Sequence, residues 1–192
     1  MDEGELAYEV ALSDGAADLD GIMRLQRDNL EATLGTQEAE REGFVTVVHT
    51  REALQAMHAL CPSVVAKRRD TGEVIAYALV MPVECRAFVP VLDEMFAKLA
   101  TLDLGGARVY IMGQVCVAQG WRGRGIFEAL YDAHRRVFAD RWDLCVTDVA
   151  LRNRRSLRAH ERVGFRRLLE YRDAQDAWAM IALDLRAPGG LT

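Results

Sequence analysis

The chain has 192 residues, 51% apolar and 28% charged, with a formal net charge of −5. That length fits one domain or two small ones, and the apolar share is enough for a sizeable core. The acidic excess excludes a general nucleic-acid binder, which needs a basic surface to displace counterions, and no run approaches the ~20 apolar residues of a membrane span.

The start, MDEGELAYEV, is acidic and lacks the basic first residues and apolar stretch of a signal peptide, so a cytoplasmic protein is expected. Leu6 to Leu12 alternates weakly and predicts a first strand, broken by Ser13 and Asp14. Asp18 offers an N-cap to a helix whose apolar stripe is Leu19, Ile22, Met23 and Leu30, interrupted by Gln26. Residues 31–50 are less regular, with Glu31, Glu38, Glu40 and Glu42 crowded before Gly43 and Phe44. A short helix is expected from Thr50 to about Leu60, closed by Pro62. Ser63–Arg69 and Glu73–Met81 read as a hairpin turned at Asp70-Thr71-Gly72. Pro82 and Pro90 bracket a loop before an amphipathic helix from about Val91 to Leu102, and Gly105-Gly106 is a break.

The second half is more regular. Arg108–Val117 is an apolar strand, and Gly120–Gly125 a turn rich in glycine and arginine. Ile126 to about Ala139 has helical periodicity, with Ile126, Leu130, Ala133 and Val137 on one row and Phe127, Tyr131, His134 and Phe138 beside it. Trp142–Ala150 is another strand, Arg154–Val163 a helix stopped by Gly164, and Phe165–Tyr171 and Asp176–Leu185 the last two strands. The strand–helix–strand crossover over residues 108–150 should make its two strands parallel, while the hairpins elsewhere make the sheet mixed. Without repeats or an interdomain linker, residues 6–186 are expected to form a single domain, with tails at 1–5 and 187–192. Cys61, Cys85, Cys116 and Cys145 form no CxxC pair and have no histidine at ligand spacing, so they read as reduced core residues, and no metal is expected.

Arg122-Gly123-Arg124-Gly125-Ile126 joins an apolar strand to an amphipathic helix. The first helical turn has free N–H groups and the positive end of the helix dipole. Glycines admit a phosphate close to the backbone, and arginines add charge, so this turn should hold a phosphate or pyrophosphate. It is neither a P-loop, since no lysine or hydroxyl follows Gly125, nor a dinucleotide fingerprint, since position 128 is Glu128. An ordinary strand-to-helix turn is the competing reading. Further on, Asn153, Ser156 and His160 fall at i, i+3 and i+7 of a helix, forming a polar rail suited to a ligand with amide groups. The competing reading makes Asn153 an N-cap and His160 a surface residue.

Together these two segments, about thirty residues apart, resemble the core of the GCN5-related N-acetyltransferases. Members carry a turn [Q/R]xxGx[G/A] after a strand, then a helix, a strand and an Asn-containing helix ending in Gly-Phe. Here the turn is Arg122 to Phe127, and the second motif is Asn153 through Gly164-Phe165. Phe127 departs from the glycine or alanine at the sixth turn position, and its ring is expected to turn into the core beside Tyr131. The N-terminal half matches in element order alone.

The resemblance implies a mixed α+β acyl-CoA N-acyltransferase fold: a central splayed mixed sheet of about seven strands flanked by helices. It implies acetyl-CoA in the wedge between strands 108–117 and 142–150. Backbone groups of Val115, Cys116 and Val117 would pair with the pantetheine arm. Amides of Gly123, Arg124, Gly125, Ile126 and Phe127 would cradle the pyrophosphate, helped by the Arg122 or Arg124 side chain, and Asn153 and Ser156 would contact the pantetheine or phosphates. The implied reaction is direct transfer of acetyl to a primary amine of a small molecule; a protein N-terminus or lysine, or a CoA-binding module without turnover, are the alternatives. His160 sits where many members place a tyrosine acid and is the candidate general acid. Members often carry a glutamate on the strand before the turn, but here it reads Met112-Gly113-Gln114-Val115; Asp148, Glu84 and the glutamates of residues 31–42 are the base candidates, beside a water chain. The acceptor site is expected from residues 31–45 and 82–90, with Phe44 as a wall and Glu31 and Glu84 attracting a cation. A homodimer is compatible with these readings.

Overall fold

The computed structural model describes residues 7–30, 45, 47–90 and 93–187. In chain order the elements are β1 Tyr8–Leu12, α1 Gly15–Asp28, α2 Arg51–Leu60, β2 Val64–Arg68, β3 Val74–Met81 and α3 Asp93–Leu99. There follow β4 Val109–Val117, α4 Ile126–Phe138, β5 Leu144–Ala150, α5 Arg154–Arg162, β6 Arg166–Arg172 and β7 Ala177–Asp184. Single 3-10 turns span Val83–Ala87 and Gln119–Trp121. The predicted elements are present with ends shifted by a few residues. The expected tails, apart from Ala187, lie outside the described residues, as do Glu31 and Phe44.

α1 begins earlier than the sequence suggests. Asp14, not Asp18, is the N-cap, and Asp18 reaches back from the first turn to accept the Asp14 N–H at 2.6 Å while pairing with Lys67. Thr50 caps α2 as a hydroxyl should, accepting the Ala53 N–H at 3.2 Å.

The strands form one mixed sheet, ordered β1-β2-β3-β4-β5-β7-β6. All neighbours are antiparallel except β4 and β5, the pair joined by the crossover through α4. Helices cover both faces. Alternation along β2 sends Val64 and Ala66 to the α4 side and Val65 to the side of α1, α2 and α3. β3 is covered on both faces, and all eight of its residues are buried.

Two irregularities of β4 shape the site. First, the parallel pairing covers Val109↔Leu144, Tyr110↔Cys145 and Ile111↔Val146 and then stops. Beyond it β4 stays with β3 as far as Val117↔Ala76, and β5 stays with β7 as far as Ala150↔Trp178. The two strands therefore splay, leaving a wedge between residues 112–117 and 147–150. Second, Val80 opposes Met112 while Ala78 opposes Val115, so β4 carries an extra residue at Gly113–Gln114. Such a bulge bends the strand and frees peptide groups from the ladder. A side chain at Gly113 would collide with Met81 Sδ and would have to displace that buried thioether.

Candidate active site

Two cavities open off the wedge and meet at Val45, Val115, Asn153 and Ser156. The first is walled by Val115, Cys116 and Val117 of β4, by Trp121, Arg122, Gly123 and Gly125 of the turn, and by the starts of α4 and α5. Gly123 and Gly125 adopt φ of +74° and +75°, and a side chain on Gly123 would meet nothing within 4 Å. The turn thus stays open, with Gly125 as left-handed N-cap of α4. The first N–H groups of α4 have no intrahelical partner and face the cavity. Arg155, Arg158 and Arg162 of α5 line the opposite side, with Glu128 the one carboxylate among its lining residues. Helix dipole and guanidinium groups therefore suit an anion with several phosphates.

The second cavity lies between the splayed strands and the outer sheet. Its lining includes Met112–Val115, Thr147–Ala150, Glu94, Tyr171, Asp173, and the wall residues Val45, Val47 and His49. Glu94, Asp148 and Asp173 bring carboxylates, and no lysine or arginine is among the lining residues. Burial pushes the Asp148 carboxyl up to about 7; the Tyr171 hydrogen bond opposes this and the Asp173 charge adds to it. Tyr171 donates its hydroxyl to Asp148 Oδ2, while the buried Oδ1 has no hydrogen-bond partner among the described residues. A carboxyl raised in this way, with one oxygen unsatisfied, is a candidate to exchange a proton with a group in the cavity.

The polar rail on α5 is real, and its members bond to each other. Asn153 caps the helix, accepting the Ser156 N–H at 3.2 Å, and both residues line both cavities. His160 is 1% exposed, at the floor of the second cavity. Its Nδ1 lies 2.8 Å from the Ser156 carbonyl, which can only accept, so Nδ1 carries the proton. Nε2 then accepts the Tyr131 hydroxyl at 2.9 Å. Burial holds the imidazole down to about 4, against the opposing pull of the Ser156 carbonyl.

The family model for the acetyltransferase (GNAT) family matches residues 23–165. The chain belongs to this family. Its fold is shared by the ribosomal-protein-S18-alanine N-acetyltransferase from Escherichia coli, at TM-score 0.63 and 10% identity over 95% of this chain and 96% of the other. A GNAT-superfamily phosphinothricin acetyltransferase from Sinorhizobium meliloti, solved with acetyl-CoA, is similar at TM-score 0.60 and 15% identity, covering 93% and 89%. An acetyltransferase from Salmonella typhimurium, solved with its cofactor acetyl-CoA, is similar at 0.59 and 16%, covering 96% and 97%. No curated protein sequence matches this chain. As a GNAT protein it is an acyltransferase of the acetyl-CoA-dependent class.

Most of the residues singled out in the sequence meet at the wedge of this GNAT chain, but several play different parts from those expected. Arg122 lines the first cavity, yet its Nε donates to the Val117 carbonyl at 3.0 Å and an Nη to Asn29 Oδ1 at 2.7 Å. It thereby occupies the Val117 carbonyl that a pantetheine arm would otherwise meet. Arg124 is exposed, stacks over Trp121 at 4.8 Å and stands outside the cavity lining. Phe127 turns its ring against Tyr131 and, edge-on, against His160, both at 5.1 Å. Burial pushes the Cys116 thiol up to about 12, which leaves it inert. Glu84 is exposed on the turn 83–87 and lines neither cavity, so the geometry argues against it as base or substrate ligand. A buried, neutral His160 with both ring nitrogens engaged argues likewise against the expected acid role.

Sequence reasoning missed Tyr171, Asp173, Glu94, Gln114 and the wall of Val45, Val47 and His49. Their signal is weak: Tyr171 is one aromatic in an alternating strand, and Gln114 stood out only as a missing carboxylate. Among the described residues, no group of His, Cys, Asp and Glu is arranged to hold a metal ion, and no helix is long and apolar enough to cross a membrane.

Proposed function

We propose that this protein transfers acetyl from acetyl-CoA to the primary amine of a small cationic molecule, directly, with both substrates bound. The observation that carries the reading is the half-buried Asp148, whose enclosed Oδ1 has no partner among the described residues, in an acidic cavity joined to a phosphate-binding one. In this reading the pyrophosphate rests on the open turn at Gly123 and Gly125 and on the first N–H groups of α4, and the pantetheine arm follows β4 past Val115 and Cys116 toward Asn153 and Ser156. When bound, acetyl-CoA supplies an activated acetyl thioester.

The acceptor enters as an ammonium ion, drawn by the carboxylates of Glu94, Asp148 and Asp173. Ionised Asp148 takes one proton, and the neutral nitrogen forms the amide bond as the C–S bond breaks. The second nitrogen proton passes to the departing sulfur, directly or through water, so no side-chain acid is needed. His160 instead holds the start of α5, and with it Asn153 and Ser156, in place. Peptide groups freed by the bulge at Gly113–Gln114 are available to the thioester oxygen.

The test is thiol release from acetyl-CoA with a panel of small diamines, neutral amines, amino acids and peptides with free N-termini. Small cationic amines should react best. A peptide turning over faster than every small amine would overturn the small-molecule assignment in favour of protein acetylation. Cofactor binding without thiol release from any acceptor would favour a CoA-binding module.

A further inference from the structure

We propose that Arg122 is a positioning residue that couples the phosphate-binding turn to the wall of the acceptor cavity, acting through Asn29. The proposal rests on the assignment of the phosphate cavity to acetyl-CoA. Arg122 opens the turn, but its two hydrogen bonds above run sideways, to the end of β4 and to the C-cap of α1. Asn29 is 6% exposed and fully engaged: its Nδ2 donates to the Leu25 carbonyl at 2.9 Å, and its own carbonyl accepts the Val45 N–H at 3.0 Å. Val45 borders both cavities.

The rest of the wall hangs on similar polar links. The His49 N–H donates to Gln26 Oε1 at 3.0 Å, and the Val47 carbonyl accepts from Gln114 Nε2 at 2.8 Å. Gln114 is itself pinned by the Tyr77 hydroxyl at 2.5 Å. The wall therefore rests on α1 and β4, and Asn29 connects it onward to the turn. A contiguous chain of buried and half-buried hydrogen bonds is the kind of network that carries coupling between sites, and coupling of binding is reciprocal. When phosphates order the turn, the guanidinium is held in one place. Asn29 is held with it, and Val45 with Asn29. The fork matters as well as the charge, because one planar guanidinium serves two acceptors in different elements and an ammonium group cannot match that geometry.

Hydrogen–deuterium exchange on the full chain tests this, with acetyl-CoA as the probe. In the wild type, acetyl-CoA should slow exchange in the turn and the start of α4 and also, by roughly tenfold, at the Val45 and His49 amides. Arg122→Lys keeps a positive charge beside the phosphates and breaks the fork. Asn29→Ala removes the link from the other end and covers the case in which the first variant misfolds. Both should retain protection at the turn and lose the slowing at Val45 and His49. If both variants keep that slowing, acetyl-CoA shields the wall by direct contact and the coupling is overturned. Wild-type protection at the turn alone overturns the coupling by itself; absence of protection at both places overturns it together with the acetyl-CoA assignment.

Discussion

The two cavities differ in charge and in how the chain builds them. The cavity proposed for the phosphates is made chiefly of contiguous pieces, a turn and two helix starts, and the groups it offers are largely backbone N–H and guanidinium. The cavity proposed for the acceptor collects side chains from α3, β4, β5, β6 and the wall at Val45, Val47 and His49, and its chemistry lies in carboxylates brought together from α3, β5 and the end of β6. One lesson follows: an anion site can be built from local conformation, whereas a site that must hold a proton near neutral pH has to be assembled from distant residues that exclude water around it.

The sharpest way to break this contrast is a charge reversal on the phosphate side. Gly125→Glu adds a negative charge to a left-handed N-cap facing the cavity, so acetyl-CoA should no longer raise the melting temperature, and turnover should fall below detection. A folded Gly125→Glu protein that keeps its ligand-induced shift would show that the phosphates lie elsewhere.

On the acceptor side, Asp148→Asn should lower kcat by about 10²–10⁴-fold, the usual contribution of a positioned base, with acetyl-CoA affinity unchanged. Wild-type kcat should rise with pH through about 7, where Asp148 ionises, and the variant should lose that limb. Stability gives an independent reading. The folded carboxyl titrates above its ordinary value, so between roughly pH 4 and 7 the native state keeps a proton the unfolded chain has lost. That stabilisation is complete below the unfolded value and is lost as pH rises through the folded one. Asp148→Asn should therefore melt higher than wild type at pH 8 and lose most of that advantage at pH 4.

His160→Ala separates support from chemistry. It leaves the Tyr131 hydroxyl and the Ser156 carbonyl without their buried partner, costing about 1–3 kcal/mol in denaturant unfolding. Turnover of the folded fraction should change by less than about tenfold, well short of the loss expected for a proton donor. A hundredfold loss of kcat in a stably folded variant would restore the acid role. The imidazole, depressed to about 4, contributes a loss of stability as pH falls from about 6.5, and the alanine variant should show a smaller decline than wild type, the buried His134 keeping its own contribution.

The smallest effect should come from Tyr171→Phe. The hydroxyl hydrogen bond favours ionised Asp148, so its loss moves the midpoint of the pH–rate profile upward. At pH 6.5 the rate should fall roughly twofold to threefold, with little change at pH 9. An unchanged midpoint would mean that Asp148 is not the group seen in the profile.

The contrast between the cavities also explains what could be read in advance. Strand and helix order over residues 108–185 was legible because period-2 and period-3.6 patterns are local, and the parallel pair followed from the crossover. The turn Arg122–Phe127 was legible because glycines between a strand and an amphipathic helix have few other uses. Local pattern misled where a side chain had two options. Asp18 can cap a helix but here bonds one turn back, and His160 can face solvent but here has its ring among Phe127, Tyr131 and Phe165.

By itself, then, the sequence determined the family, the element order, the mixed sheet and the open glycine turn proposed to hold phosphates, since each depends on residues close together in the chain. Only the tertiary structure decided which carboxylate has an enclosed, unpartnered oxygen, that Arg122 bonds to Asn29, and that the histidine at the expected acid position is neutral and engaged at both nitrogens. Protonation state and hydrogen-bond partners are set by what surrounds a group in three dimensions, and residues such as Asp148 and Tyr171 carry no local mark of the neighbours they will meet.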